Sequence, residues 1–295
     1  MSKEAFQEWK LHKKANLKTK DLQRARAELH QAIQFVGAVG RSYSPSSAED
    51  EYGSLNWDDG GKMLVSVVLG KNQRIYAGLS LSRFELGVYN EDGTPVDSIN
   101  LKGLASTGIV SWLKKVLGNV GLDKDMLTLE FPYQIPDYKD VIGKKLKFKR
   151  KKVFGEFSKL YENAARVLDH YKSDYSEYAG AIKCWPHHFD IATQLIFNEN
   201  GGKDNKDYVG LGFSPGDENY KRPYYYINLW PVPELSSQDL PAVGKGNWNT
   251  KGWFGATLDI KTIKKVEDED QQARIVKDFY DAAIREIFAL INFRI

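Results

Sequence analysis

The chain has 295 residues, 42% hydrophobic and 27% charged, with one cysteine and 42 Lys or Arg against 39 Asp or Glu. That composition excludes a disordered chain, a collagen-like repeat and a disulfide scaffold, and no uncharged apolar run approaches the roughly 18 residues of a membrane-spanning helix. The net charge of +3 gives no strong nucleic-acid signal and no reason to expect a membrane partner. A lone Cys184 and a start without an apolar signal region lead us to expect a cytoplasmic protein.

Residues 1–28 read as a basic helix or solvated arm, with Lys10, Lys13, Lys14, Lys18, Lys20, Arg24 and Arg26 outnumbering nearby acids. From Leu22 to Val36 apolar residues recur at three- and four-residue steps, predicting a helix that Gly37 and Gly40 end. Ser42–Gly53 reads as turn-rich. Strands are expected at Met63–Leu69, Arg74–Leu81 and Phe84–Tyr89, and, after the Asn90–Gly93 turn, at Val96–Leu101. Thr107–Leu117 reads as a helix ended by Gly118. Met126–Phe131 reads as a further strand before Pro132 and Pro136 break regular structure.

Lys144–Lys152 holds seven basic residues in nine. It could bind phosphate groups, but its lysines suit an exposed linker or edge strand better. Phe154–Tyr171 carries one apolar face and reads as a helix. Strands are then expected at Phe189–Asn198, Tyr208–Phe213, Tyr224–Leu229 and Trp253–Ile260. The acidic turn Glu267–Asp270 opens a final helix, its charges suiting the positive end of the helix dipole.

This order predicts an α+β fold, mainly antiparallel sheet with packed helices. Tyr76–Ser82 and Tyr208–Ser214 share the pattern Y-x-G-L-x-x-S. The shared pattern raises the expectation of two similar halves from an internal duplication, residues 29–143 and 153–295, joined by the basic linker 144–152. The second half would then carry the site, and a crevice between the halves would hold a ligand.

The densest polar cluster is Trp185-Pro186-His187-His188-Phe189-Asp190. If 187–190 is extended, His188 and Asp190 share a face, since side chains alternate along a strand. They could then hold a proton or a Zn, Mn, Fe or Ni ion, with a further ligand from Asp217, Glu218, Asp58 or Asp59. The bland alternative is a core histidine with a locally paired aspartate. Gly212-Phe213-Ser214-Pro215-Gly216 formally matches G-x-S-x-G, but Pro215 and Gly216 are poor material for the helix that a nucleophile elbow needs. Ser-Pro-Gly-Asp is first a tight turn, able to present Ser214 and Asp217 to a substrate. Cys184, three residues before His187, reads as a buried thiol rather than a nucleophile. Tyr224, Tyr225, Tyr226, Trp230, Trp248 and Trp253 crowd the last third of the chain. Some are core, and Tyr226, Trp248 and Trp253 are candidates for stacking on a ligand. Gly244–Trp253 reads as a Gly/Asn-rich loop carrying tryptophans, a lid or a solvated loop.

The segments Cys184–Asp190, Gly212–Pro233 and Trp248–Ala256, with Leu29-His30, Gly40-Arg41-Ser42 and Trp57-Asp58, resemble a family of uncharacterised bacterial proteins carrying W-P-H-H-F-D and S-P-G-D motifs. The resemblance covers most of the chain and brings no established activity, so no catalytic residue is carried over. Relatives with His at the position of Asn249 would place in doubt a metal site using that position here.

The leading expectation is an enzyme acting on a small polar molecule, in the sharpest form a metal-assisted hydrolase. His187, His188 and Asp190 would be catalytic, with His188 and Asp190 as metal ligands. Ser214, Asp217, Tyr226, Trp248 and Trp253 would bind substrate. The alternative is a non-catalytic protein holding a small ligand against its aromatic residues. A third reading is a partner protein using the Lys144–Lys152 strip. The sequence does not specify an oligomeric state.

Overall fold

A helix buried on nearly every side organises the first part of the chain. It is α1 (Thr19–Tyr43), in which every residue from Ala25 to Gly40 except Gln31 is buried. The structure is a computed structural model that describes residues 6, 8–13, 18–44, 53–70, 73–198, 207–234 and 240–291. Parts of two expected segments, the basic N-terminal arm and the turn-rich stretch before Gly53, lie outside the described residues.

Gly37 and Gly40 do not end α1, as their helix-breaking tendency leads one to expect; the helix runs through both. They serve close packing instead. A Cβ at Gly37 would lie 3.4 Å from the Gly53 carbonyl oxygen and from the Pro186 ring, and one at Gly40 would lie 3.4 Å from the Ser66 Cβ.

Two compact units make up the chain. The first comprises residues 17–158 and 183–190, the second residues 1–16, 159–182 and 191–295. In the first unit β1 (Asn56–Asp58), β2 (Met63–Val65), β3 (Ile75–Ser80), β4 (Glu85–Asn90) and β5 (Pro95–Asn100) form an antiparallel sheet in sequence order. Here α1 packs against β2 and β3. The alternating apolar residues Ala77, Leu79, Leu86 and Val88 are fully buried. α2 (Ser106–Asn119) buries Ile109, Leu113, Val116 and Leu117. Four elements of this unit lie close to their expected positions: β3, β4, β5 and α2.

The expected strand over Met126–Phe131 does not form. A short 3-10 turn occupies Lys124–Met126, and the chain then follows the end of α1. The Ser42 hydroxyl accepts the Thr128 N–H at 3.0 Å, and the Arg41 guanidinium donates to the Glu130 carbonyl. These contacts to the helix end take the backbone groups that a sheet would have used.

From Glu130 the chain continues without regular structure to Arg150 and runs antiparallel to α1. The pegs come in order. Arg41 holds Glu130, Gln34 holds Tyr133, His30 holds Tyr138, Glu28 holds Lys147 and Phe148, and Asp21 holds Arg150. The helix between Asp21 and Arg41 rises about 30 Å, so this strap covers most of its length. The basic run therefore forms no edge strand, and its backbone is held along α1. Leu146 is buried, bonding through its backbone to Gly103 and Leu104, and Phe148 stacks on Phe84 at 5.3 Å while the flanking lysines stay exposed. α3 (Lys151–Asp174) starts at the end of the strap. The short β6 (Lys183–Trp185) pairs Cys184 with Leu55 through two 2.8 Å bonds.

In the second unit β7 (Asp190–Asn198), β8 (Asp207–Ser214), β9 (Tyr224–Trp230), β10 (Asn247–Asn249) and β11 (Phe254–Asp259) run antiparallel in the order β10-β11-β9-β8-β7. After the single turn α4 (Ile260–Ile263), α5 (Glu269–Leu290) packs against β9 and β11. Asp268 caps α5 by accepting the Gln271 N–H at 2.8 Å, as the acidic turn led one to expect. Tyr280 of α5 donates its hydroxyl to the Gly212 carbonyl at 2.8 Å and lies 5.2 Å from the ring of Tyr171.

The segment Trp9–His12 belongs to this unit and is held by two fully buried amides. Asn163 accepts the Lys10 N–H at 2.8 Å and donates to its carbonyl at 2.9 Å. Gln272 accepts the His12 N–H at 2.9 Å and donates to its carbonyl at 2.8 Å. The architecture is α+β with two antiparallel sheets. No helix among the described residues is long and apolar enough to cross a membrane.

Candidate functional site

The Trp185–Asp190 motif is not extended. Residues 186–189 form a turn closed by the His188 and Phe189 N–H groups on the Trp185 carbonyl, at 3.1 and 2.7 Å, with Phe189 at φ +57°. The strand alternation that would have put His188 and Asp190 on one face therefore does not apply. The turn buries Phe189, which stacks on His30 at 5.5 Å, and leaves His188 exposed with His187 half-buried.

What the turn does present is the Pro186 carbonyl. It accepts from His30 Nε2 at 2.7 Å and from Gln34 Nε2 at 2.8 Å. Since a carbonyl can only accept, Nε2 of His30 carries the proton and Nδ1 accepts the Tyr138 hydroxyl at 2.7 Å. Gln34 in turn accepts the Tyr133 hydroxyl at 3.0 Å. Burial pushes the His30 pKa down to about 3, partly offset by its bond to Pro186, so the ring is neutral at physiological pH. Burial also lowers His187 to about 4, with a smaller contribution from His188, and raises the Tyr133 phenol.

On the solvent side of this network rings follow one another. The Arg41 guanidinium lies 5.6 Å from the centre of Phe131, and Phe131 stacks on Tyr133 at 5.1 Å. Tyr133 meets His187 at 5.3 Å, and His187 meets His188 at 4.1 Å. Trp185 flanks His187 at 6.1 Å. Every ring of the row is partly or fully exposed. Phe131, Tyr133 and Tyr138 were missed as site residues because the strap has no periodicity, and Gln34 and Arg41 because on α1 they read as ordinary helix positions. The available signals were the Pro132 and Pro136 punctuation around the tyrosines and the His30 and Arg41 positions within the family-like segments.

Asp58 accepts the Gly60 and Gly61 N–H groups at 3.2 and 2.9 Å and so caps its own turn. Cys184 is fully buried, and burial with the nearby Asp190 raises its thiol well above the usual range, leaving it a poor nucleophile. Among the described residues, no three or more His, Cys, Asp or Glu side chains form a group able to hold a metal ion.

The remaining expected residues lie in the second unit. Ser214 ends β8 and accepts the Gly216 N–H at 3.1 Å, and a turn rather than a helix follows. Asp217 accepts the Asn219 and Tyr220 N–H groups at 2.7 and 2.8 Å and the Tyr224 hydroxyl at 2.6 Å, so it organises its own loop. Tyr226 lies over Gly212, where a Cβ would fall 2.4 Å from the ring. Trp248 sits on β10, donates to the Pro241 carbonyl at 2.6 Å and stacks on Phe254 at 5.5 Å. Asn249 closes the following turn by donating to the Trp253 carbonyl at 2.6 Å, and accepts the Tyr220 hydroxyl at 3.1 Å. The Gly/Asn-rich segment is thus paired and pinned rather than a free loop.

The expected site residues therefore fall into two groups, His187, His188 and Asp190 in one unit and Ser214, Asp217, Tyr226, Trp248 and Trp253 in the other. Comparison with sequence families matches residues 15–288 to a family of unknown function, DUF5996, and the chain belongs to that family. No curated protein and no solved structure matches it.

Proposed function

We propose that the chain is a binding protein that takes a small polar ligand with a flat ring face, a sugar or a nucleobase, on the row from Arg41 to His188. One observation carries this reading: four partly or fully exposed rings touch in series, with centroids 4.1–5.3 Å apart, and a guanidinium ends the series. Such rings offer stacking faces, and the polar atoms beneath them are tied to α1, so the platform is pre-organised.

The same chemistry weighs against placing an acid–base enzyme first. A general base works best with a pKa near the working pH. His187 is held near 4 and His30 near 3, so both stay neutral and weakly basic. They suit hydrogen bonding to an uncharged ligand better than proton abstraction.

Titration of tryptophan fluorescence with nucleosides and monosaccharides tests the reading, since Trp185 flanks the row. Saturable quenching that is lost in Tyr133→Ala and His188→Ala but kept in Tyr133→Phe is expected. Quenching indifferent to all three substitutions, or none with any compound, overturns it.

A further inference from the structure

The strap that carries Phe131 and Tyr133 at one end carries the basic run at the other. Lys145, Lys147, Lys149, Lys151 and Lys152 are exposed, and none has an ion pair or side-chain hydrogen bond among the described residues. Two basic neighbours are paired, Lys144 with Asp140 at 3.8 Å and Arg150 with Asp21 at 3.0 Å. Seven of the 42 basic residues lie in this run, which leaves 35 against 39 acids elsewhere. The small net charge thus conceals a concentrated positive strip on an otherwise acidic chain. Its last two lysines form the first turn of the 24-residue α3, where the helix dipole adds positive potential rather than offsetting it.

The fold holds these charges together against their repulsion. Leu146 is buried and the Glu28 carboxylate grips the Lys147 and Phe148 N–H groups, so the chain cannot move away to separate its lysines. One strap thus carries, at one end, lysines without a partner among the described residues and, at the other, stacking rings, the two elements that bind nucleic-acid single strands, phosphates on the cations and bases on the rings. A flat anionic surface would use the lysines and leave the rings idle.

We infer that the strap is a track for single-stranded nucleic acid, its phosphodiester backbone on Lys145–Lys152 and its bases on the row at Tyr133. The inference rests on the proposed ring-binding site and extends it to a polymeric ligand. Fluorescence anisotropy with a labelled oligo(dT) and oligo(U) of roughly a dozen nucleotides tests it, with thymidine and uridine titrated in parallel. Five phosphate contacts predict a logarithmic salt slope of about −3.5. Lys145→Ala/Lys147→Ala/Lys149→Ala should make that slope shallower by about 2 while leaving nucleoside binding unchanged. Tyr133→Ala should weaken oligonucleotide binding about tenfold, and Tyr133→Phe should keep it.

Oligonucleotides bound no more tightly than the nucleosides overturn the track and leave the ring site standing. Absence of both interactions overturns the track together with the nucleobase form of the ring-site reading, and leaves its sugar form to the monosaccharide titration. Oligonucleotide binding that survives Tyr133→Ala, or phosphatidylserine vesicles bound through the same lysines in preference to oligonucleotides, overturns the strand assignment.

Discussion

The Glu28 carboxylate accepts the backbone N–H of Phe148 at 2.7 Å, across 120 residues of sequence, and that of Lys147 at 3.2 Å. Arg24, one turn earlier on α1, also donates to it at 3.2 Å. With 1% of its side chain exposed, this acid lies under the most basic stretch of the chain and fixes the backbone that carries it.

Glu28→Ala should therefore destabilise the protein by about 3 kcal/mol, since it leaves two N–H groups and a guanidinium without their acceptor. The strap should loosen before the rest of the chain. Limited trypsin digestion should cut within Lys144–Lys152 at a protease level that leaves the wild type intact. A variant as resistant as the wild type would show that Leu146 and Phe148 hold the strap without the carboxylate.

Gly53 sits at φ +66°, and a Cβ there would meet the Gly37 carbonyl oxygen at 2.8 Å. Gly53→Ala should cost about 2 kcal/mol from backbone strain and contact together. Gly37→Ala brings only 3.4 Å contacts and gains helix propensity, so it should stay within about 1 kcal/mol of the wild type. Urea unfolding of the two variants checks the contrast, and equal losses would contradict it.

Stability should also fall in mild acid. The folded His30 has its pKa lowered to about 3 from an ordinary 6.5, so the unfolded chain takes up a proton that the folded one refuses. The stabilisation is fully present above about pH 6.5, declines by up to about 1.4 kcal/mol per pH unit below it, and levels off near pH 3. His187, half-buried, adds a smaller contribution of the same sign. Urea midpoints measured from pH 7 to pH 4 should drop more steeply for the wild type than for His30→Gln. Parallel curves would mean that His30 does not couple protons to folding.

The parts of the fold legible in the sequence are those with a period. Phe154–Tyr171 lies within α3, and Tyr208–Phe213 and Tyr224–Leu229 lie within β8 and β9. Of the three-residue strands, β1, β6 and β10 were not legible because three residues give no alternation to read, whereas the apolar run from Met63 marked β2. The strap escaped notice for a related reason: its conformation is set by side chains of α1 distant in sequence, and Phe148 and Arg150 adopt positive φ without a glycine to signal it. The histidine pair stood out by composition alone. His30, which holds Tyr138 and the Pro186 carbonyl, looked like one more residue on a helix.

The buried amides of Asn163 and Gln272 each treat a stretch of backbone as a strand would, taking one N–H and giving to one carbonyl. Side chains add to this main-chain grip: the Trp9 indole donates to Gln272 at 3.2 Å, the His12 ring meets Asn163 Nδ2 at 2.9 Å, and the Lys10 ammonium pairs with Glu162 at 3.6 Å. Both amides lie within the family-matched residues 15–288, and the segment that satisfies them lies before it. Within the matched region Gln272 keeps a bond to the Val266 carbonyl at 2.8 Å, and the Trp9–His12 segment supplies the rest. A protein started at residue 15 would expose two amides built for partners it no longer has, and it should unfold at a lower temperature and gain affinity for a Trp9–His12 peptide added back.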